Sequence, residues 1–408
     1  MTQFPTNAIA AVQHQNPYPY YATLRQGPAL WFDSELQMWI AAKAEVIQQV
    51  TAHPAAAVRP LHEAVPVHLQ GNDLGKLFAQ LVRMTDGPAQ QQAKAWLHTQ
   101  ISGWSQTVIR EQTLLCINEL ITVLVLEYQQ PAAGLFSNTE ALNDFVQRLP
   151  VTVMARLLSF PAEAALASAQ QIANFIACLA PGAATPGSVA GNKADSKTTS
   201  PLRLGELACH SLFNQLQNAR TEPLAPWQLA NLFGLLMQSY EATAGLIGNS
   251  LVALTEQQLW PQLRAQPELS LALVAEVGRF NAPVQHTRRF INHDCIIAGV
   301  PLPAGSVVLL LLAAAGRDEA VYDQPDELKL DRATVENLTF STGAHRCPGQ
   351  ALAQHIAAVA VEFLLSQPLP ALRWQYRPSA NGRLSYFGHA PNSTAAITTQ
   401  TTAPGAAQ

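Results

Sequence analysis

The sequence predicts a mainly α protein with a small β-rich part, folded as one domain over its 408 residues. Three observations carry that expectation. Between residues 88 and 281, long stretches place apolar side chains at the 3.6-residue helical period, with Pro and Gly at the breaks. After Pro283 the pattern changes to short β-branched runs between turn residues. Hydrophobic residues make up 48% of the chain, enough for a substantial core, while charged residues make up only 13%, well below the usual share.

Taken in order, residues 16–25 read as a turn entering a short helix. Residues 29–32 and 38–41 read as a strand pair around Asp33-Ser-Glu, followed by a helix over about 43–50. Residues 53–86, with Pro54, Pro60 and Pro66, read as a long irregular segment of the kind that carries function. The helical pattern of 88–160 breaks at Pro131-Ala-Ala-Gly134, and 162–179 is a further helix. The Gly-, Ala-, Ser- and Thr-rich stretch 181–201 reads as a lid-like loop, because no shift in composition separates its flanks. A helix to Arg220, a long apolar helix over about 226–254 and a helix over 269–281 follow. The β-rich parts are expected at about 29–41, 285–312 and 370–398, with a disordered tail over about 400–408.

Composition excludes several classes of function. Lys and Arg number 24 against 28 Asp and Glu, a net charge of −4 with no basic run, which argues against nucleic-acid binding. The first 20 residues have neither the charged nor the apolar region of a targeting signal. From 223 to 255 Glu241 is the sole charged residue, but Asn231, Gln238, Ser239, Thr243 and Asn249 belong to a buried core helix rather than to one facing lipid. Five scattered cysteines without a Cys-x-x-Cys pair suit reduced thiols. The expectation is a cytoplasmic monomer without a membrane anchor.

The chain is organised around residues 340–349, Phe-Ser-Thr-Gly-Ala-His-Arg-Cys-Pro-Gly. This is a glycine-containing loop that delivers Cys347 to the start of a helix, with Pro348 suited to the first helical position. A sulfur there feels the positive end of the helix dipole, which favours the thiolate. A lone cysteine is ordinarily a small core residue. The set Phe340, Gly343, His345, Cys347 and Gly349, however, resembles the haem-ligand signature of the cytochrome P-450 superfamily, the haem-thiolate monooxygenases of soluble bacterial type.

That resemblance implies a cytochrome P-450 fold, with haem b held between the long 226–254 helix and the Cys347 loop. Cys347 would be the metal ligand, with Phe340 and Gly349 shaping its loop. Glu276 and Arg279, three apart on one helix, match the family's structural Glu-x-x-Arg pair, and Arg332 matches its third partner. Arg289, with Arg288 as second choice, and His345 match the residues that meet haem propionates. Where the family commonly has His and Arg four apart, this chain has Gln90 and Lys94. Residues 16–25, 315–318 and 322–326 also resemble family blocks.

The long helix departs from the family pattern. Glu241 aligns with the proton-delivering acid, but Ser239 stands at the usual Gly and Ala242 at the usual Thr. Thr243 or Ser239 would have to substitute, or a substrate hydroxyl. Otherwise the protein uses peroxide, runs an oxidative coupling, or is a haem-bearing recruiting module with little turnover. The pocket is expected to draw on Phe233, Met237, Tyr240, Val284, Gln285, His286 and Phe387. The implied reaction uses O2 and NAD(P)H electrons passed by a ferredoxin- or flavodoxin-type partner. The implied substrate is a small or medium-sized organic molecule of secondary metabolism, free or bound to a carrier protein.

Overall fold

The computed structural model describes residues 4–63, 65–179, 201–332, 337–379 and 381–388, with residues 201 and 202 described by backbone alone. The expected lid over 181–200 and the expected tail lie outside the described residues.

The chain begins with α1 (Tyr18–Gln26), β1 (Trp31–Asp33), β2 (Met38–Ala41), α2 (Ala44–Ala52) and β3 (Ala56–Ala57). A helical series follows: α3 (Asp73–Gln80), α4 (Gly87–Ser102), α5 (Gln106–Tyr128), α6 (Thr139–Leu157), α7 (Ala162–Cys178), α8 (Pro201–Asn218), α9 (Pro226–Glu256), α10 (Trp260–Ala265) and α11 (Ser270–Phe280). Then come β4 (Thr287–Ile291), β5 (Cys295–Ile297), β6 (Val300–Leu302), β7 (Val307–Leu310), α12 (Leu312–Ala315), α13 (Gln350–Leu365), β8 (Trp374–Pro378) and β9 (Arg383–Phe387). The mainly α reading with small sheets agrees with this order.

Local chemistry sets many of the boundaries. The side chains of Asn72, Ser105 and Asn138 accept from Gly75, Val108 and Glu140 N–H, capping α3, α5 and α6. At the head of α9, Pro226 takes the first helical position, and the Gln228 side chain accepts the Ala225 N–H at 2.8 Å. With 31 residues α9 is about 46 Å long, and it packs on α3, α6, α8, α11, α13 and β9.

The strands form a five-stranded sheet in the order β1-β2-β7-β4-β3, with β2 and β7 parallel and the other pairs antiparallel. Two hairpins, β5-β6 and β8-β9, stand apart. The main core runs through α3 to α11 and α13, and a second cluster fills the space between the sheet and α2. Strand β9 is tied to two helices. Asn143 on α6 brackets the backbone of Phe387 at 2.7 and 2.8 Å, and Ser385 donates to Asn249 on α9 at 2.5 Å.

Several sequence boundaries need correction. Residues 53–86 are not wholly irregular, since α3 and β3 form there, with the Asn72 cap starting α3. The 88–160 stretch breaks a second time, between Ser102 and Gln106, where Gly103 ends α4. The β-rich part expected to reach about 312 stops at Leu310, where β7 turns into α12. Pro348 lies outside α13, whose N-cap is Gly349. Among the described residues no helix is long and apolar enough to cross a membrane.

Candidate functional site

The loop before α13 is closed by its own backbone. Asn337 accepts the Thr339 N–H at 3.0 Å, and the Phe340 carbonyl accepts the Cys347 N–H at 2.8 Å. Ser341 takes φ 60° and ψ 178°. That region is essentially reserved for glycine, costs about 1–3 kcal/mol, and persists where surrounding structure demands it. Gly343, at φ 61°, takes its own left-handed turn without that cost.

Cys347 is exposed by accessible area. Its thiol is nevertheless pushed up by burial, against the lowering effects of the Gly349 N–H and the Lys94 charge. Both facts hold for a side chain ringed by protein with open space at its tip. Burial thus opposes the thiolate bias expected of the helix terminus.

Polar groups from α4 grip the same loop. Lys94 Nζ donates to Ala344 O at 2.6 Å and to Gly343 O at 3.4 Å, and Gln90 Nε2 donates to Ala344 O at 2.7 Å. Burial lowers Lys94 while Cys347 raises it, so ammonium and sulfur are electrostatic neighbours. His345 Nε2 meets Asp86 Oδ1 at 2.9 Å, and Asp86 Oδ2 accepts the Val58 N–H at 3.1 Å. Burial works to raise the Asp86 carboxyl, but the bonds from His345 and Val58, helped by the charges of His345 and Arg289, hold it below the ordinary range. Asp86 is absent from the sequence reading. Its place just ahead of Gly87-Pro88, at the N-cap of α4, was the available signal.

Arg289, on β4, is only 3% exposed, and its Nε is buried without a partner. Its Nη1 donates to Arg288 O at 2.8 Å, while Arg288 itself is exposed. A buried guanidinium with an unpaired N–H is costly unless an anion meets it. These residues fit a haem group. The sulfur has open space at its tip, a desolvated arginine offers an unpaired N–H, and a second cation stands beside the sulfur.

Glu276, Arg279 and Arg332 come together as one network. Arg279 Nε and Nη2 bond the two Glu276 oxygens at 2.9 and 2.5 Å, and its remaining donors reach the carbonyls of Gly316, Pro325 and Glu327. Arg332 Nε and the Lys329 N–H also donate to Glu276, at 3.0 and 3.1 Å. This network braces α11. A Cβ on Gly278 of that helix would lie 3.5 Å from Phe340 and 3.6 Å from Leu246 of α9, so one glycine joins the cysteine loop to the long helix.

On α9, every residue from Ala230 to Leu254 is buried except Gln238, Tyr240, Glu241 and Ala242. At about 100° per residue, Gly234, Gln238, Ala242 and Gly245 share one stripe, with Glu241 at its edge. A Cβ on Gly234 would meet Leu81 at 3.1 Å, and one on Gly245 would meet Pro283 at 2.5 Å and Leu384 at 3.5 Å, so these residues wall the stripe. Arg83 lies in the 3₁₀ turn Val82–Met84, pinned to α9 where Val82 N–H donates to Asn231 Oδ1 at 2.7 Å. Burial lowers the Arg83 guanidinium and the Glu241 charge opposes that, so the two face each other electrostatically.

Several predicted site residues lie elsewhere. Ser239 is buried, its hydroxyl donating to Leu236 O at 2.8 Å, and Thr243 is buried about 140° round the helix from Gln238. Neither hydroxyl belongs to the accessible stripe. Phe233 is core, edge-on to Phe175 and Phe213 with centroids 4.6 and 5.7 Å away. Met237 and Phe387 are buried in the same core. Gln285 is fully buried, bonding Tyr21 Oη at 3.0 Å and Ala282 O at 2.5 Å. Tyr240 is half-buried and sits in the field of Asp144 on α6, and burial above all pushes its phenol up to about 12. Val284 pairs with Gly382, and His286 is buried with an unpartnered Nδ1.

Known proteins share this fold. The cytochrome P-450 family model matches residues 227–378, the span holding α9, the Glu276–Arg279 pair and the Cys347 loop. The biotin biosynthesis cytochrome P-450 of Bacillus subtilis is 37% identical over 151 residues, which cover 35% of this chain and 38% of that protein. Cytochrome P-450 133B2 of Xylella fastidiosa is 27% identical over 376 residues, 88% of this chain and 90% of that protein. Among solved structures, P-450 BioI in complex with hexadec-9Z-enoic acid ligated acyl carrier protein superposes with a TM-score of 0.70 at 23% identity, over 91% of this chain and 97% of that one. CalO2 gives a TM-score of 0.71 at 19% identity, over 95% and 98%. The matched class is that of the haem-thiolate proteins. Over residues 227–378 this chain is similar to the cytochromes P-450, haem-dependent monooxygenases, and it shares their fold.

Proposed function

We propose that the protein binds haem b through Cys347 and oxidises a small or medium-sized organic molecule of secondary metabolism, as a cytoplasmic, single-domain monomer. The observation that carries this reading is Cys347 itself, accessible at its tip yet desolvated, with Lys94 beside it. When bound, haem would supply dioxygen activation, with the thiolate pushing electron density toward O–O cleavage. Arg289, the unpaired N–H on a buried cation, would hold one of its carboxylates, and Lys94 another. His345, bonded to Asp86, would fix the loop. The Cys347 sulfur ligates only as thiolate, so loading releases a proton and is favoured as pH rises.

On the opposite side, Glu241 is the one acid on the accessible stretch of α9, opposite the Arg83 charge. It would pass protons inward from solvent. His286, pushed down to about 4 by burial and by Arg288, stays neutral at the pocket edge and offers Nδ1 as a polar contact to substrate. Electrons would come from NAD(P)H through a ferredoxin- or flavodoxin-type donor. The test is turnover with such a pair, NADPH and labelled dioxygen. Label in the product supports monooxygenation, and no product with any substrate class overturns it.

A second reading is favoured by Ala242 and by the inward turn of Ser239 and Thr243. Peroxide use or oxidative coupling needs less ordered proton delivery than hydroxylation does. The same test separates them, since product formed from peroxide alone, at the rate seen with the full electron chain, selects the second reading. A carrier-bound substrate, or a recruiting module with little turnover, draws its support from the acyl carrier protein held by P-450 BioI.

A further inference from the structure

Between Trp227 and Thr255 on α9, Gln238 is the one exposed residue. This exposed amide stands midway along a helix that is otherwise buried or half-buried. Its Nε2 donates to Gly234 O at 3.0 Å, one turn back. Gly234 makes room for it, since a Cβ there would already stand 3.5 Å from that nitrogen. An amide carries two donors and two acceptor sites. Among the described residues, the second N–H and the carbonyl oxygen of Gln238 have no protein partner.

Gln238 lies about 40° from Ala242 and about 60° from Glu241 round the helix. It therefore shares their stripe, walled by Leu81, Pro283 and Leu384. The two hydroxyls nearby in sequence do not. Ser239 is turned inward onto Leu236 O, and Thr243 is buried on another face.

We propose that Gln238 is a further positioning residue of the site, whose side-chain amide supplies the hydrogen bonds that Ala242 cannot and fixes a water beside Glu241. The inference rests on the reading that haem is ligated by Cys347. A carboxamide does not ionise near neutral pH, so it relays no proton by itself. It orients the water. The proton passes from Glu241 through that water, and Glu241 is reprotonated from solvent.

The test uses the haem-loaded full chain and the near-isosteric Gln238→Met, which keeps volume and removes the amide. The first readout is the affinity of the ferric protein for cyanide, whose free end accepts a hydrogen bond. Loss of one such bond should weaken binding about tenfold. The second is product formed per NADPH, which should fall in Gln238→Met and recover when Ala242→Thr is added, because that restores a hydroxyl to the stripe. Cyanide affinity within twofold of the parent, with unchanged coupling, overturns the role of Gln238. A coupling defect that Ala242→Thr does not relieve overturns it too. The reduced carbon-monoxide spectrum separates this failure from failure of the underlying reading. A thiolate-type band in both proteins leaves Cys347 in place, whereas its absence from the parent removes the haem-ligand assignment instead.

Discussion

Replacing Glu276 by Gln should be among the most damaging single-atom changes in this protein. Glu276 is 6% exposed and Arg279 is 2% exposed. The carboxylate accepts four bonds, from Arg279 Nε and Nη2, from Arg332 Nε and from the Lys329 N–H. A carboxamide in its place would present an NH2 where guanidinium donors converge, leaving two arginine cations without their anion. Breaking one side of a buried ion pair in this way typically costs about 3–5 kcal/mol. Arg279 also satisfies the carbonyls of Gly316, Pro325 and Glu327, so the loop around 316–332 should loosen with it. Equilibrium urea unfolding of parent and variant measures the loss. The joint change Glu276→Leu with Arg279→Met should cost less than the two single losses added together, because it leaves no uncompensated charge at that pair. A loss below about 1 kcal/mol for Glu276→Gln would refute the view that this network is a buried electrostatic brace.

Other outcomes follow from the same geometry. Burial pushes His286 down to about 4, from an ordinary value of 6.5. Its neutral form is therefore favoured in the folded state, so the full stability is present above pH 6.5 and about 3 kcal/mol of it is lost as pH falls from 6.5 toward 4. Urea midpoints across that range should flatten in His286→Gln. Arg289→Gln removes the buried cation with the unpaired N–H and should weaken haem retention by about 10- to 100-fold in competition with an apo haem acceptor. Arg83→Met takes a positive charge from the neighbourhood of Glu241, so the alkaline limb of the pH–activity profile, where Glu241 loses the proton it donates, should move to higher pH.

Much of this arrangement was readable in the chain. The 3.6-residue pattern located most helices, and Asn72, Ser105 and Asn138 mark helix starts that a closer reading of caps would place. The family resemblance groups Glu276, Arg279 and Arg332, and the structure brings Arg332 onto Glu276. What the sequence concealed is direction. Phe233 and Phe387 are aromatic in the right segments but turn into the core, and Ser239 and Thr243 carry the right hydroxyls on the wrong faces. A one-residue step on a helix rotates a side chain by about 100°, so alignment with a family motif identifies the position and not the angle. Asp86 escapes a sequence reading because a polar residue at a helix cap has no distinguishing period, whereas Gln238 is visible there as a polar residue of the long helix without its direction. Burial at the Cys347 thiol is hidden for another reason. Helix-terminus effects are legible in sequence, whereas desolvation depends on residues from α4 and the cysteine loop folded around the sulfur.

The central claim is that Cys347 is the haem ligand, and the most direct measurement is the reduced carbon-monoxide difference spectrum of the haem-loaded protein. The account predicts a Soret band of the thiolate type in the parent and its loss in Cys347→Ala. A parent spectrum of the imidazole type, or a thiolate band that survives Cys347→Ala, would contradict it.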